Sequence, residues 1–156
     1  MANPDDNAAD LVTEYVTMTI GDHMFGLPIF RVQDVFVPAR VTRVPLAPPE
    51  VAGILNLRGR VVTAIDMRSR LDLGARAPGT QVMAIGIELK GEFYGLLVDS
   101  VGEVLQLRNA ACEANPANLD VGLSRVAAGI YRLEGQLMVV LDVDRVLDIR
   151  NSAVAA

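Results

Sequence analysis

Short apolar segments broken by turn residues run along nearly the whole chain, and few of them are long enough for a helix. Residues 15–20 (Tyr-Val-Thr-Met-Thr-Ile) are β-branched and aromatic, and Gly21-Asp22 follows as a turn, so a strand and a hairpin are predicted there with residues 24–29 as the answering strand. Valines at 35, 37, 41 and 44, interrupted by Pro38, predict a bent edge strand over 33–44. Residues 54–57 and 61–65 flank Arg58-Gly59 as a hairpin. The second half repeats this sequence of elements. Strands are predicted over 81–89 and 92–98 around Lys90-Gly91, over 102–107, and over 130–133 and 137–141 around Glu134-Gly135. Helix is expected only in short pieces. Pro48-Pro49-Glu50 suits a single turn, and Asp66 and Asp142 each follow a strand and precede an apolar-spaced stretch, the arrangement of an N-cap.

The parallel between the halves is an internal repeat. Residues 25–35 and 94–104 share four of eleven positions at an offset of 69, including Gly26/Gly95, Val32/Val101 and Val35/Val104. Residues 53–66 match 129–142 at an offset of 76, keeping Gly53/Gly129, Gly59/Gly135 and Asp66/Asp142. The two matches are collinear, and the seven extra residues of the second copy are placed within 108–122, where Asn109, Asn115-Pro116 and Asn118 supply loop chemistry. Five strands in a copy of about 60 residues, with little helix, suit a small closed barrel that leaves no bare edge. An all-β fold of two tandem five-stranded barrels follows, one over 14–71 and one over 81–141. A polar linker at 72–80 joins them, a short helix at 142–149 ends them, and two small cores meet at an apolar seam. The acidic first thirteen residues offer nothing to bury and are expected to be disordered.

With 156 residues the chain is long enough for one well-buried domain. Hydrophobic residues reach 51% and the mean hydropathy is +0.33, which accords with three apolar layers. The net charge of −5 argues against neutralising nucleic-acid phosphates. The acidic start is the reverse of a secretory leader, and no apolar run approaches the ~18 residues of a membrane helix. The expected location is therefore the cytoplasm, with no direct membrane insertion. Candidate chemistry is thin. His23, the single histidine, sits at a polar turn, and Cys112, the single cysteine, has Glu113 beside it and no histidine to activate it. Asp66 and Asp142 resemble a carboxylate dyad only in being duplicated, since neither is followed by the Ser/Thr-Gly that pins such a pair. No metal-ligand spacing, P-loop or dinucleotide fingerprint occurs. A catalytic site, a metal and a cofactor are accordingly not expected.

Where both copies keep a residue, the architecture explains it; where they diverge, another reason is open. The hairpin tip diverges most plainly, with Asn56-Leu57-Arg58-Gly59 against Arg132-Leu133-Glu134-Gly135. The same turn presents a cation in one copy and an anion in the other. A guanidinium there can fork onto a partner's carbonyls or carboxylate. On the residues alone an adaptor, a small-ligand binder or enzyme on paired barrels, and a structural partner of some other complex stay open, with the poor catalytic inventory weighing against an enzyme.

These segments resemble the CheW family of bacterial chemotaxis adaptors. The likeness is carried in order by Thr19-Ile-Gly-Asp22, Phe25-Gly-Leu27, Val32-Gln-Asp-Val35, Val41-Thr-Arg-Val-Pro45, Gly53-Ile-Leu-Asn-Leu-Arg-Gly59, Ile65-Asp-Met-Arg68 and Gly95-Leu-Leu-Val-Asp99. The resemblance implies two intertwined SH3-like barrels and a non-catalytic scaffold. Such a scaffold links the cytoplasmic helical-hairpin tips of methyl-accepting chemoreceptors to the regulatory domain of the histidine kinase CheA, beside membrane-bound receptor arrays. By the same likeness, Val32, Val35, Arg58, Val101 and Val104 would line the receptor groove between the barrels, and Val41, Val44, Val51 and Gly53 would meet the kinase at a barrel end. Proline-rich stretches at 37–40 and 46–49 depart from the family pattern on the kinase side, and Pro28 departs from it within a strand.

Overall fold

The computed structural model describes residues 11–74 and 79–149. The expectation for the first thirteen residues, the middle of the linker and the last residues of the chain therefore lies largely outside the described residues. Val12 and Thr13 already belong to a strand.

Among the described residues ten strands form: β1 Val12–Ile20, β2 His23–Pro28, β3 Val32–Phe36, β4 Val51–Leu57, β5 Arg60–Asp66, β6 Met83–Leu89, β7 Glu92–Val98, β8 Ser100–Arg108, β9 Ala127–Leu133 and β10 Gln136–Leu141. They make two five-stranded sheets, ordered β8-β1-β2-β10-β9 and β3-β6-β7-β5-β4. Replacing each strand of one copy by its counterpart turns the first order into the second, so the repeat is a pseudo-twofold of the whole fold. Strand membership does not follow the expected division at 14–71 and 81–141. The first sheet takes β1 and β2 from copy one and β8 to β10 from copy two, and the second takes the remainder. The copies have exchanged their last three strands. The chain crosses between the sheets after β2 and after β7: the turn Ile29–Arg31 leads from β2 to β3, and Asp99 alone lies between β7 and β8. Both edges of β2 are taken, by β1 and β10, and both edges of β7, by β6 and β5, so neither following strand has a place beside them. The exchange is sealed by parallel pairing of β10 with β2 and of β5 with β7.

Each sheet is curled shut by one bridge between its outer strands' margins. Thr42 pairs with Ile54 and Glu113 with Ile130. The duplicated glycines permit this. A Cβ on Gly53 would lie 2.2 Å from the Thr42 carbonyl oxygen, and one on Gly129 would lie 2.8 Å from Cys112 Sγ. The expected strand over 33–44 thus shrinks to β3 and this bridge, because Pro38 cannot donate to a ladder and the chain leaves the sheet after Phe36. Pro48-Pro49-Glu50 makes a hydrogen-bonded turn, Val51 N donating to Pro48 O at 3.0 Å, and no helix. Both aspartate caps form. Asp66 accepts from Arg68 N at 3.0 Å before the helix Met67–Leu71, and Asp142 accepts from Arg145 N at 3.3 Å before the helix Val143–Val146. A third short helix, Val121–Ser124, arises within the second copy's insertion and is capped by Asp120.

The seam between the barrels is the main core. Twenty buried residues form it, among them Ile20, Phe25, Ile65, Met67, Ile85 and Leu96, whereas the barrel interiors hold separate clusters around Leu55, Val62 and Ala64 and around Tyr15, Tyr131 and Met138. Ile20 and Phe25 come from the first sheet and Ile65, Ile85 and Leu96 from the second, so the two barrels share one buried core. A partly buried ion pair crosses it. Arg68, just after β5, donates through Nε and Nη2 to Asp99 at 3.1 and 2.7 Å, and Gly21 N of the β1–β2 turn donates to the same carboxylate at 2.8 Å. The hydrogen bond to Asp99 raises the Arg68 pKa further above its ordinary value, against the opposing effect of burial, so this guanidinium stays charged.

Candidate functional site

The exposed apolar side chains mark two surfaces. The first flanks the seam. Val32 and Val101 occupy equivalent positions on β3 and β8, the outer strands of the two sheets, and both pack partly buried against the seam core. Three residues further on, an odd spacing that reaches the opposite strand face, Val35 and Val104 turn outward, 39% and 46% exposed. The alternation of a half-buried strand thus displays a valine pair from each barrel. Arg58 stands at the tip of the two-residue β4–β5 hairpin with φ 54°, followed by Gly59 at φ 82°, the left-handed pair that a tight hairpin requires. The Asn56 side-chain carbonyl accepts from Gly59 N at 2.9 Å and braces the turn. Arg58 Nη1 donates to Asp34 Oδ2 at 2.9 Å, which ties the hairpin to β3 beside Val35. The guanidinium remains mostly exposed, and an exposed pair of this kind contributes about 0–1 kcal/mol, so its charge is available to a partner. The structure therefore places Val32 and Val35 on the second barrel, with Arg58 joined to the same strand through Asp34, and sets Val101 and Val104 on the first. Asp34 belongs with them, and sequence reasoning passed over it. The signal was its place between Val32 and Val35, on the strand face opposite Val35.

The second surface lies at the end of the second barrel. Val44 and Val51 line one largely apolar cavity of about 250 Å³ with Pro48, Ile54 and Leu147. Val41 turns inward against the barrel interior, and Gly53 is buried beneath Thr42, where it shapes this surface without facing a partner. Sequence reasoning missed Ile54, Val61 and Leu46, which are exposed here by 37%, 63% and 105%. In the run Val51-Ala-Gly-Ile-Leu-Asn-Leu57 only Asn56 is polar, so which face of Ile54 points outward is not legible. The copies again diverge. Ile130, the counterpart of Ile54, is 1% exposed and belongs to the seam core, against which Leu119 of the second copy's insertion also packs. The first copy lacks the insertion and leaves the equivalent apolar end open.

Among the described residues, nothing catalytic assembles beside either surface. His23 is exposed at the β1–β2 turn, 6.2 Å from the Phe25 ring, and Cys112 is an exposed free thiol. Asp66 and Asp142 are each engaged in capping their own helix. Among the described residues no group of three His, Cys, Asp or Glu side chains could hold a metal ion, and no helix is long and apolar enough to cross a membrane.

Comparison with known proteins agrees with this architecture. Residues 14–151 match the model of the CheW-like domain. The chemotaxis protein CheW of Rhizobium meliloti is 29% identical over 144 residues, which cover 90% of this chain and 93% of that protein. The chemotaxis protein CheW of Bacillus subtilis is 25% identical, with 88% of each chain covered. The crystal structure of the scaffolding protein TtCheW from Thermoanaerobacter tengcongensis superposes with a TM-score of 0.79 at 26% identity, covering 89% of this chain and 94% of that one. The match spans both barrels and the seam between them, and the chain belongs to the CheW family of non-catalytic scaffolds, which couple chemoreceptors to the kinase CheA in chemotaxis.

Proposed function

We propose that the seam-flanking surface receives the helical-hairpin tip of a methyl-accepting chemoreceptor and that the open end of the second barrel packs on the regulatory domain of the kinase CheA, in the cytoplasm beside the receptor array. The observation that carries the receptor assignment is the twin display of Val35 and Val104 on the two outer strands, with Arg58 paired to Asp34 of the same strand as Val35. An amphipathic helix lays an apolar face into such a groove, and a guanidinium at the margin fixes its register. For the kinase surface the support is the contrast between the copies. The exposed Ile54 corresponds to a residue that the other copy buries in the seam core, so this end is built to be covered. Val44 and Val51 then serve as contacts, with Val41 and Gly53 positioning the loop that carries them.

The test is titration of the Arg58→Ala variant against a receptor tip fragment and, separately, against the kinase regulatory domain. Receptor association should weaken by about 1.5–3 kcal/mol, the worth of a hydrogen bond to a charged group. Kinase association should change less, and the melting temperature should barely move, since the Asp34 pair is exposed. Unchanged receptor binding would remove Arg58 from the groove. An unfolded variant would make the residue structural.

A further inference from the structure

Each barrel has a mouth at the same place in the fold, and the two mouths carry opposite chemistry. In the second barrel a cavity of about 220 Å³ is floored by Phe36, Leu57, Val62 and Phe93 and rimmed by Arg58 and Arg60. Its pseudo-twofold counterpart in the first barrel is lined by Met24, Leu105 and Gln136, which replace Phe93, Phe36 and Arg60 at the repeat's own offsets. Glu103 and Glu134 replace Asp34 and Arg58. The fold is satisfied by either set, so the architecture does not demand arginines and aromatic rings. Of the charged groups at the second mouth, Asp34 is paired with Arg58 at 2.9 Å. Arg60 lies with Cζ 3.9 Å above the centre of the Phe93 ring and, among the described residues, in no ion pair. A guanidinium stacked on a ring keeps its N–H edges directed outward, held in orientation by the aromatic face. The mouth therefore offers one fixed, uncompensated cation above an apolar floor sized for a single ring.

We propose that the mouth of the second barrel is a binding site for a small carboxylic acid with a compact aromatic or branched aliphatic stem. The stem enters between Phe36 and Phe93, and the carboxylate takes the N–H edge of Arg60, with Arg58 second to it. An apolar cavity with a few convergent polar groups is the usual form of a small-ligand site. The first barrel's mouth, with two glutamates and a glutamine in the corresponding positions, repels the same ligand. The site does not depend on the receptor or kinase assignment, and its test uses neither partner.

Hydrocinnamate is titrated into the isotopically labelled full chain and followed by amide chemical shifts, with hydrocinnamide as the neutral control. The expected result is saturable shifts at Phe36, Leu57 and Phe93 and none at Met24 or Leu105. Arg60→Gln, which installs the other copy's residue at an exposed position, and the change to the amide should each weaken binding about tenfold or more, the loss that goes with a hydrogen bond to a charged group. The proposal is overturned by an absence of saturable shifts, by equal shifts at both mouths, or by wild-type affinity in Arg60→Gln or for the amide.

Discussion

Gly53→Ala tests whether barrel closure rests on a missing side chain. The added Cβ would stand 2.2 Å from the Thr42 carbonyl oxygen and 2.8 Å from its carbon, both backbone atoms that cannot rotate away. Gly53 also has φ +151°, a conformation that a residue with a Cβ rarely adopts. To relieve the clash, the chain must open the Thr42·Ile54 bridge, whose two hydrogen bonds both measure 2.8 Å. Two such bonds contribute about 2 kcal/mol net, and the backbone strain adds about 1–3 kcal/mol. The smaller unfolded-state entropy of alanine returns about 0.4–1 kcal/mol. The expected loss is about 3 kcal/mol, a fall of about 6–12 °C in melting temperature for a chain of this size. Gly129→Ala should cost less, since its Cβ meets the Cys112 sulfur at 2.8 Å, a side-chain end that can move, and the Glu113 oxygen only at 3.0 Å. Thermal melts and urea titrations of both variants, with hydrogen exchange at the Thr42 and Ile54 amides, read the order directly. Wild-type stability of Gly53→Ala, or equal losses in the two variants, would refute the account of closure.

Removing Arg68 should be the more damaging charge substitution. Arg68→Ala removes both guanidinium hydrogen bonds from the Asp99 carboxylate, which is 15% exposed, and should cost about 3 kcal/mol in urea unfolding, with Arg68→Lys recovering only part because the bidentate fork is lost. Alkaline stability should report on Tyr131. Burial first, and then the Tyr15 hydroxyl at 3.3 Å, push its phenol well above the ordinary value of 10.0. The folded chain then keeps it neutral where the unfolded chain ionises it. Its contribution is present in full below about pH 10 and is lost as pH rises from there toward the folded value. Urea midpoints in that window should fall for the wild type and fall less for Tyr131→Phe, and parallel declines would contradict the reading.

The sites were legible to different degrees. Arg58 stood out because the repeat supplies its own control: a turn that accepts glutamate in one copy does not need arginine in the other. Asp34 did not, because an acid between two valines looks like ordinary alternation until the hairpin folds back on it. Gly53 drew attention through the resemblance as a contact residue, but the structure buries it under Thr42, since only the pairing of a remote loop with β4 shows what its missing Cβ makes room for. The exposure of Ile54 was hidden for the same reason. Its counterpart Ile130 has the same identity in the same motif, and only its burial in the seam core distinguishes them.

Local sequence by itself determined the strands, the tight turns at Arg58-Gly59 and Lys90-Gly91, the aspartate caps and the duplication, because each depends on residues within a few positions of one another. It also determined that two barrels would share an apolar seam, since strands apolar on both faces need cover on both sides. Which strands make which barrel was settled only by the tertiary structure. The copies have similar strands, so β10 can answer β2 as well as β5 can, and pairing within or between copies looks alike in the pattern of side chains. Strand pairing and burial decide between them. β2 and β7 have both edges taken by other strands, so the strand that follows each passes to the other sheet, and the exchange closes both barrels over the common core that holds twenty buried side chains.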